Sequence, residues 1–228
     1  MADRAEFIKD IRSRLQNHRS RGEYRPTHAP DVPWTPSAER RRESPVSGDL
    51  PARFLGELEA LGGHGRRVAS IEEARDYVLS LARERGAELL VRWDEEELEE
   101  LGVDAPVREA GTEVSVWRDL PDFREVAGSA EIGLTTADWA VAETGSLVVT
   151  SGPGHGRSVT LLPPTHVAVV RVEKMLPTVA EAIALYAKNG GLPANVCFHT
   201  GPSRSGDIEQ ALAIGVHGPG DVHVVLVG

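Results

Sequence analysis

Apolar positions recur at helical spacing near the start of the chain. Ala5, Phe7, Ile8, Ile11 and Leu15 predict a helix over residues 3–19. RGEYRPTHAPDVPWTPSAERRRESPVSGD follows, with five prolines and Trp34 as its one large apolar group. That composition predicts an extended linker, polyproline-like near its prolines. Residues 1–49 therefore read as an arm, and residues 50–228 as the folded domain.

From residue 50 the periodicity alternates between 3.6 and 2. LPARFLGELEALG predicts a helix and GRRVAS a short strand. SIEEARDYVLSLARERG predicts a helix, with Ser70 and Glu73 as a capping box and Gly86 as its stop. AELLVRW predicts a strand and DEEELEELG a short acidic helix. GTEVSVW predicts another strand and LPDFREVAGSA another helix. EIGLTTADWAVAETGSLVVTSG reads as strand, short loop or turn, strand. THVAVVRV is a continuous apolar run that suits a strand buried on both faces. LPTVAEAIALYAKNGG predicts a helix capped by Thr178 and Glu181. NVCFHTG predicts a strand, SRSGDIEQALAIG a loop running into a helix, and DVHVVLVG a last strand. This alternation predicts an α/β fold with a largely parallel, doubly wound sheet flanked by helices.

Composition narrows the function. The chain has 228 residues and a net charge of −10. Residues 1–50 hold ten Lys and Arg against eight Asp and Glu, a net of +2, which leaves −12 for the remaining 178. An acidic body argues against a nucleic-acid partner, whose phosphates need Lys and Arg. No apolar run approaches the roughly 20 residues that span a bilayer. The start of the chain lacks the apolar core of a signal peptide, so the cytoplasm is the expected location. Cys197 is the one cysteine and lies in an apolar run, where it reads as a packed thiol. One cysteine excludes an internal disulfide and any all-cysteine metal site. The histidines at 155, 166, 199 and 217 show no HxxxH or HxH spacing, so no metal site is expected.

Open α/β sheets bind ligands where strands end and helices begin, which selects four polar, glycine-rich connections. In the first, Glu143, Thr144, Gly145 and Ser146 stand between apolar runs as at a hairpin turn, where Gly145 supplies a positive φ. A carboxylate beside hydroxyls can act as base or nucleophile; turn chemistry alone also explains these residues. In the second, glycines alternate with Pro153, His155 and Arg157 in an anion nest or a mobile loop. Pro163 and Pro164 then hold His166 at the start of a strand, as an acid–base group or a hydrogen-bonded cap. In the third, Ser203, Arg204, Ser205, Gly206 and Asp207 open the predicted helix, with Arg204 able to clamp a carboxylate or phosphate. Asp207 complements the same helix dipole and repels a second anion. In the fourth, His217 lies in a glycine–proline turn at the far end of that helix. The third and fourth segments are thus expected to lie apart. There is no Walker loop and no GxGxxG between strand and helix.

Taken together, ADWAVAETGSLVVTSG, LLPPTHVAVV and GPSRSGDIEQALAIGVHGPGDVHVVLVG resemble the LUD domain family from about residue 130 to residue 228. The resemblance implies a NagB/RpiA/CoA-transferase-like α/β fold. It also implies a role in oxidising L-lactate to pyruvate with two iron–sulfur partners, LutA-like and LutB-like proteins. No cofactor is expected on this chain, because its single cysteine cannot hold a cluster; the iron–sulfur clusters belong to the partners. Thr135, Ala137, Asp138 and Glu143–Ser146 fall on family segments, with Ser146 where threonine is common. So do Pro163, Pro164, His166, Gly201–Ser203, Asp207, Ile208, Gly215 and His217–Pro219. Gly206 and Gly220 depart from the family pattern, the latter where a basic residue is frequent.

Two functions fit these residues. In one, a small organic acid or phosphate-bearing ligand binds at the strand ends. Glu143 and His166 are then the catalytic candidates, and Thr144, Gly145, Ser146, Ser203, Arg204, Ser205, Gly206, Asp207 and His217 the binding set. Glu143 as an acyl acceptor is an analogy with CoA transferases at the level of fold. In the other, the chain is a non-catalytic docking subunit whose arm grips a partner or a second copy in a homodimer.

Overall fold

The computed structural model describes residues 48–228, apart from 120–121, 190–192 and 207–211. The predicted arm helix and most of its linker, like Asp207, lie outside the described residues.

Helix α1 (Leu50–Ala60) starts where Asp49 accepts a hydrogen bond from Ala52 N and Pro51 presets the first turn. Strand β1 (His64–Val68) follows. Helix α2 (Ile71–Arg85) carries the caps read from its sequence: Ser70 accepts from Glu73 N, and Gly86 closes the helix in the left-handed region at φ 58°. Then come β2 (Leu89–Arg92), α3 (Glu96–Leu101), α4 (Asp104–Glu109), β3 (Glu113–Val116), α5 (Phe123–Ser129) and β4 (Ile132–Thr135). The second half runs β5 (Trp139–Val141), β6 (Ser146–Thr150), α6 (Arg157–Leu161), β7 (Thr165–Arg171), β8 (Met175–Leu176), α7 (Val179–Lys188), β9 (Val196–His199), β10 (Arg204–Gly206), β11 (Leu212–Ile214) and β12 (Asp221–Val227).

Six strands form one sheet in the order β1-β12-β7-β4-β2-β3. Every pairing in it is parallel. Its central strands are apolar without alternation, as burial on both faces requires. A second sheet, β8-β5-β6-β9, lies on the main core. Ala140, Leu147 and Val149 turn into that core, while Val141 and Val148 pack with Ala182 and Tyr186 of α7. The alternation of elements predicts one sheet. The structure splits EIGLTTADWAVAETGSLVVTSG into β4 in the main sheet and the β5–β6 hairpin in the second, breaking at Thr136–Asp138. No helix among the described residues is long and apolar enough to cross a membrane.

The loop and helix expected over 203–215 are corrected in their described parts. Arg204–Gly206 and Leu212–Ile214 pair antiparallel instead. Ser203 fixes this return: its N–H donates to Pro219 O at 2.9 Å, and its carbonyl accepts from Gly215 N at 2.9 Å. The segments at Ser203 and His217 are therefore neighbours, and Arg204 lies in strand β10.

Candidate functional site

The strand order fixes where a crevice opens. Strand β2 continues to β3 on its outer side, whereas β4 continues to β7 in the opposite direction. Connections that diverge from two neighbouring parallel strands leave a gap at their carboxyl ends. Trp93, Asp94 and Glu95 follow β2 at this point; Thr135 ends β4 and Thr136 follows it.

The glycine-rich loop after β6 closes over that gap. Asp94 N donates to Gly154 O at 3.1 Å, and Trp93 Nε1 donates to Gly156 O at 2.9 Å. A Cβ on Gly156 would stand 2.1 Å from the Trp117 ring, so only glycine lets the loop lie this close. The loop carries His155 into the crevice, where its ring stacks on Trp93 at 4.6 Å between centroids. His155 Nε2 lies 2.7 Å from Glu95 Oε1, and the Thr136 hydroxyl donates to Glu95 Oε2. The Glu95 hydrogen bond raises the His155 pKa against the cost of burial. Burial pushes Glu95 upward, but the bonds from His155 and Thr136 outweigh it and leave the carboxyl below its usual range. Lys174, on the turn after β7, reaches Glu97 at 2.6 Å and adds positive charge beside Glu95.

His155 is also one wall of an open cleft of about 700 Å³. Trp117, Arg124, Ser151, Arg157 and Ser158 line the same cleft. Its size is that of a small-molecule site. Neither Arg124 nor Arg157 pairs with a carboxylate among the described residues. Two arginines, two serines and an imidazole suit an anion, with the Glu95–His155 pair able to hold or move a proton at the cleft wall.

Beneath the crevice Arg92 is buried, 2% exposed. Its Nε and Nη2 donate to the two Asp104 oxygens at 2.8 and 2.9 Å, and Nη1 donates to Trp93 O. This bidentate clamp fixes the end of β2.

The residues singled out from the sequence fall in three other places. Gly145 has φ 63° in the β5–β6 turn, as expected. A Cβ there would stand 2.5 Å from Leu58 N, because the turn lies on α1. Glu143 Oε2 accepts from Val179 N at 3.1 Å and so caps α7. The hydroxyls of Thr144, Ser146 and Thr200 form a chain of two 2.7 Å hydrogen bonds. His166 is fully buried, its Nε2 2.8 Å from Thr135 Oγ1 and its Nδ1 without a partner among the described residues. Burial, with smaller effects from His199 and His223, lowers its pKa to about 3, so the ring is neutral. Arg204 donates to the carbonyl of Leu61, the residue that caps α1 at its C-terminus. Gly218, next to His217, lies against Ser203 and near Leu161 of the cleft. Glu143, Thr144, Ser146, His166 and Arg204 are absent from the cleft's described lining.

His155 and Arg157 stand in a glycine-rich loop that marks itself in the sequence, whereas Glu95, Thr136 and Lys174 carry no local signal of a site. Glu95 and His155 are 60 positions apart and meet only through the strand order. The rule that α/β sheets bind ligands at the carboxyl ends of their strands points to the ends of β2 and β4.

Comparison with known proteins decides the family. The LUD domain model matches residues 51–227. The chain belongs to the LUD domain family. It is 36% identical over 159 residues to lactate utilization protein C of Halalkalibacterium halodurans, covering 67% of each chain. It is 29% identical to the protein of the same name from Geobacillus sp. strain WCH70, over 95% of this chain and 92% of that one. Among solved structures, a DUF162 family protein from Deinococcus radiodurans matches with a TM-score of 0.54 at 22% identity, covering 78% of this chain and 96% of that one. That likeness shows the shared α/β fold of this LUD domain.

Proposed function

We propose that this LUD domain protein serves lactate utilization as a ligand-binding subunit. It works beside LutA-like and LutB-like iron–sulfur proteins that carry the electrons. The pathway rests on the relatives named lactate utilization protein C, one of them similar over nearly its whole length. The ligand reading rests on one observation: an open cleft walled by His155, Arg124 and Arg157, with His155 joining it to the crevice at the ends of β2 and β4. Those groups favour a small organic acid or a phosphate-bearing compound. Arg157 supplies the anion contact, and His155, backed by Glu95, supplies a proton donor. A cysteine-ligated cluster is assigned to the partners, since Cys197 alone cannot hold one.

A thermal-shift screen with lactate, pyruvate, coenzyme A and nucleotides tests this directly. At least one compound should raise the midpoint of the wild type, because a ligand that binds only the folded state stabilises it. The same compound should lose that effect in Arg157→Ala. A wild type unmoved by all four classes favours the docking role instead.

A further inference from the structure

At the opposite edge of the main sheet, three side chains converge that the cleft does not use. Strands β1 and β12 pair in parallel register, with His64 opposite His223. Opposed residues on paired strands face the same way, and Asp221, two positions before His223, shares that face. His64 Nε2 lies 3.4 Å from Asp221 Oδ1, and His223 Nε2 lies 3.0 Å from Asp221 Oδ2. One ligand atom from each residue falls within 4.8 Å of the other two. A metal with bonds of about 2.0–2.1 Å to nitrogen and oxygen separates tetrahedral ligands by roughly 3.3–3.5 Å. The two histidine–aspartate separations, 3.4 and 3.0 Å, are close to that spacing.

We propose that His64, Asp221 and His223 form a binding site for a first-row divalent transition ion such as Zn²⁺ or Co²⁺. Two imidazoles and one carboxylate select this class over Mg²⁺ and Ca²⁺, which prefer all-oxygen shells. Three protein ligands leave the fourth position open, and the His64 side chain is 60% exposed, so that position faces solvent.

The surroundings support the assignment independently. Tyr77 of α2 places its hydroxyl 2.7 Å from His223 Nδ1. A partner on the far ring nitrogen orients an imidazole whose other nitrogen ligates, as outer groups do around metal-bound histidines. With an ion present, Nδ1–H donates to the tyrosine oxygen and Nε2 offers its lone pair. Without one, Nε2–H donates to Asp221 and Nδ1 accepts from the tyrosine. Arg85 also holds Asp221 Oδ2, at 2.5 Å. It leaves Oδ1, the oxygen nearer His64, for the ion, and it lowers affinity by placing a cation nearby.

The test is a Co²⁺ titration of the full, untagged chain, read by visible absorption, with Zn²⁺ as competitor. The wild type should bind one Co²⁺ per chain with the intense spectrum of a low-coordinate site, and Zn²⁺ should abolish that spectrum. His64→Ala removes an exposed ligand and should leave the metal-free melting midpoint unchanged while weakening Co²⁺ at least tenfold. Asp221→Asn serves as the second ligand variant and should show the same loss. A wild type that binds no Co²⁺, or one whose affinity and spectrum both variants retain, overturns the site.

Discussion

His155 Nε2 stands 2.7 Å from Glu95 Oε1 at the carboxyl ends of β2 and β4. This pair couples the floor of the crevice to the open cleft, because His155 faces both. Each partner shifts the other toward its charged form. The contribution has a definite pH window. The raised His155 pKa gives stability that is complete below the unfolded value near 6.5 and fades as pH rises through the folded value. The lowered Glu95 pKa gives stability that is complete above its unfolded value near 4.5 and fades as pH falls through the folded value. The pair is therefore strongest between about pH 4.5 and 6.5.

Glu95→Gln should lower the His155 pKa, measured from its imidazole resonances across a pH series. It should also cost about 2 kcal/mol near pH 6, the usual scale for a hydrogen bond to a charged group. A His155 titration identical in wild type and variant contradicts the pairing.

His166 acts in the opposite sense. Its pKa is lowered to about 3, so the unfolded chain takes up a proton that the folded chain refuses. Stability is complete above about pH 6.5 and falls as pH drops toward the folded value, by about 1.4 kcal/mol per pH unit. Burial lowers His199 and His223 as well, and both add to the same trend. Urea unfolding should give a free energy about 1–2 kcal/mol lower at pH 5 than at pH 7, the His166 loss less the smaller opposing gain at His155. Equal free energies at the two pH values would show that His166 is accessible to protons.

Arg92 separates a buried ion pair from an exposed one. Asp104→Ala strands the buried guanidinium and should cost about 3–5 kcal/mol. Glu99 also touches Arg92, at 2.6 Å, but its side chain is 60% exposed. Glu99→Ala should cost less than about 1 kcal/mol. Chemical denaturation of the two variants checks the order, and comparable losses contradict the assignment of Asp104 as the main partner.

Gly145→Ala combines a left-handed φ with a Cβ 2.5 Å from the backbone of Leu58. The conformation alone costs about 1–2 kcal/mol, and α1 must also move. The melting temperature should drop by several degrees. An unchanged melting temperature would mean that the β5–β6 turn does not rest on α1.

Much of the fold was legible because its signals are local. Ser70, Glu73 and Gly86 bound α2, and Thr178 and Glu181 open α7, through bonds spanning three or four residues. The run THVAVVRV marked a strand buried on both faces. The pairing of β10 with β11 was not legible, since it and the bonds of Ser203 to Pro219 and Gly215 join residues far apart in sequence. The site was half legible for the same reason. The glycine loop drew notice, but Glu95 is one acid in the run DEEELEE until the order of β2 and β4 sets it against His155.

The central claim is that the cleft beside His155 binds an anionic ligand. It is tested most directly by following the His155 imidazole resonances while lactate, pyruvate, coenzyme A or a nucleotide is added. The account predicts a saturable shift with at least one of these, weakened about tenfold or more in Arg157→Ala, the scale of one lost charge-assisted hydrogen bond. Resonances that stay fixed with every compound, or a binding curve that Arg157→Ala leaves unchanged, would contradict it.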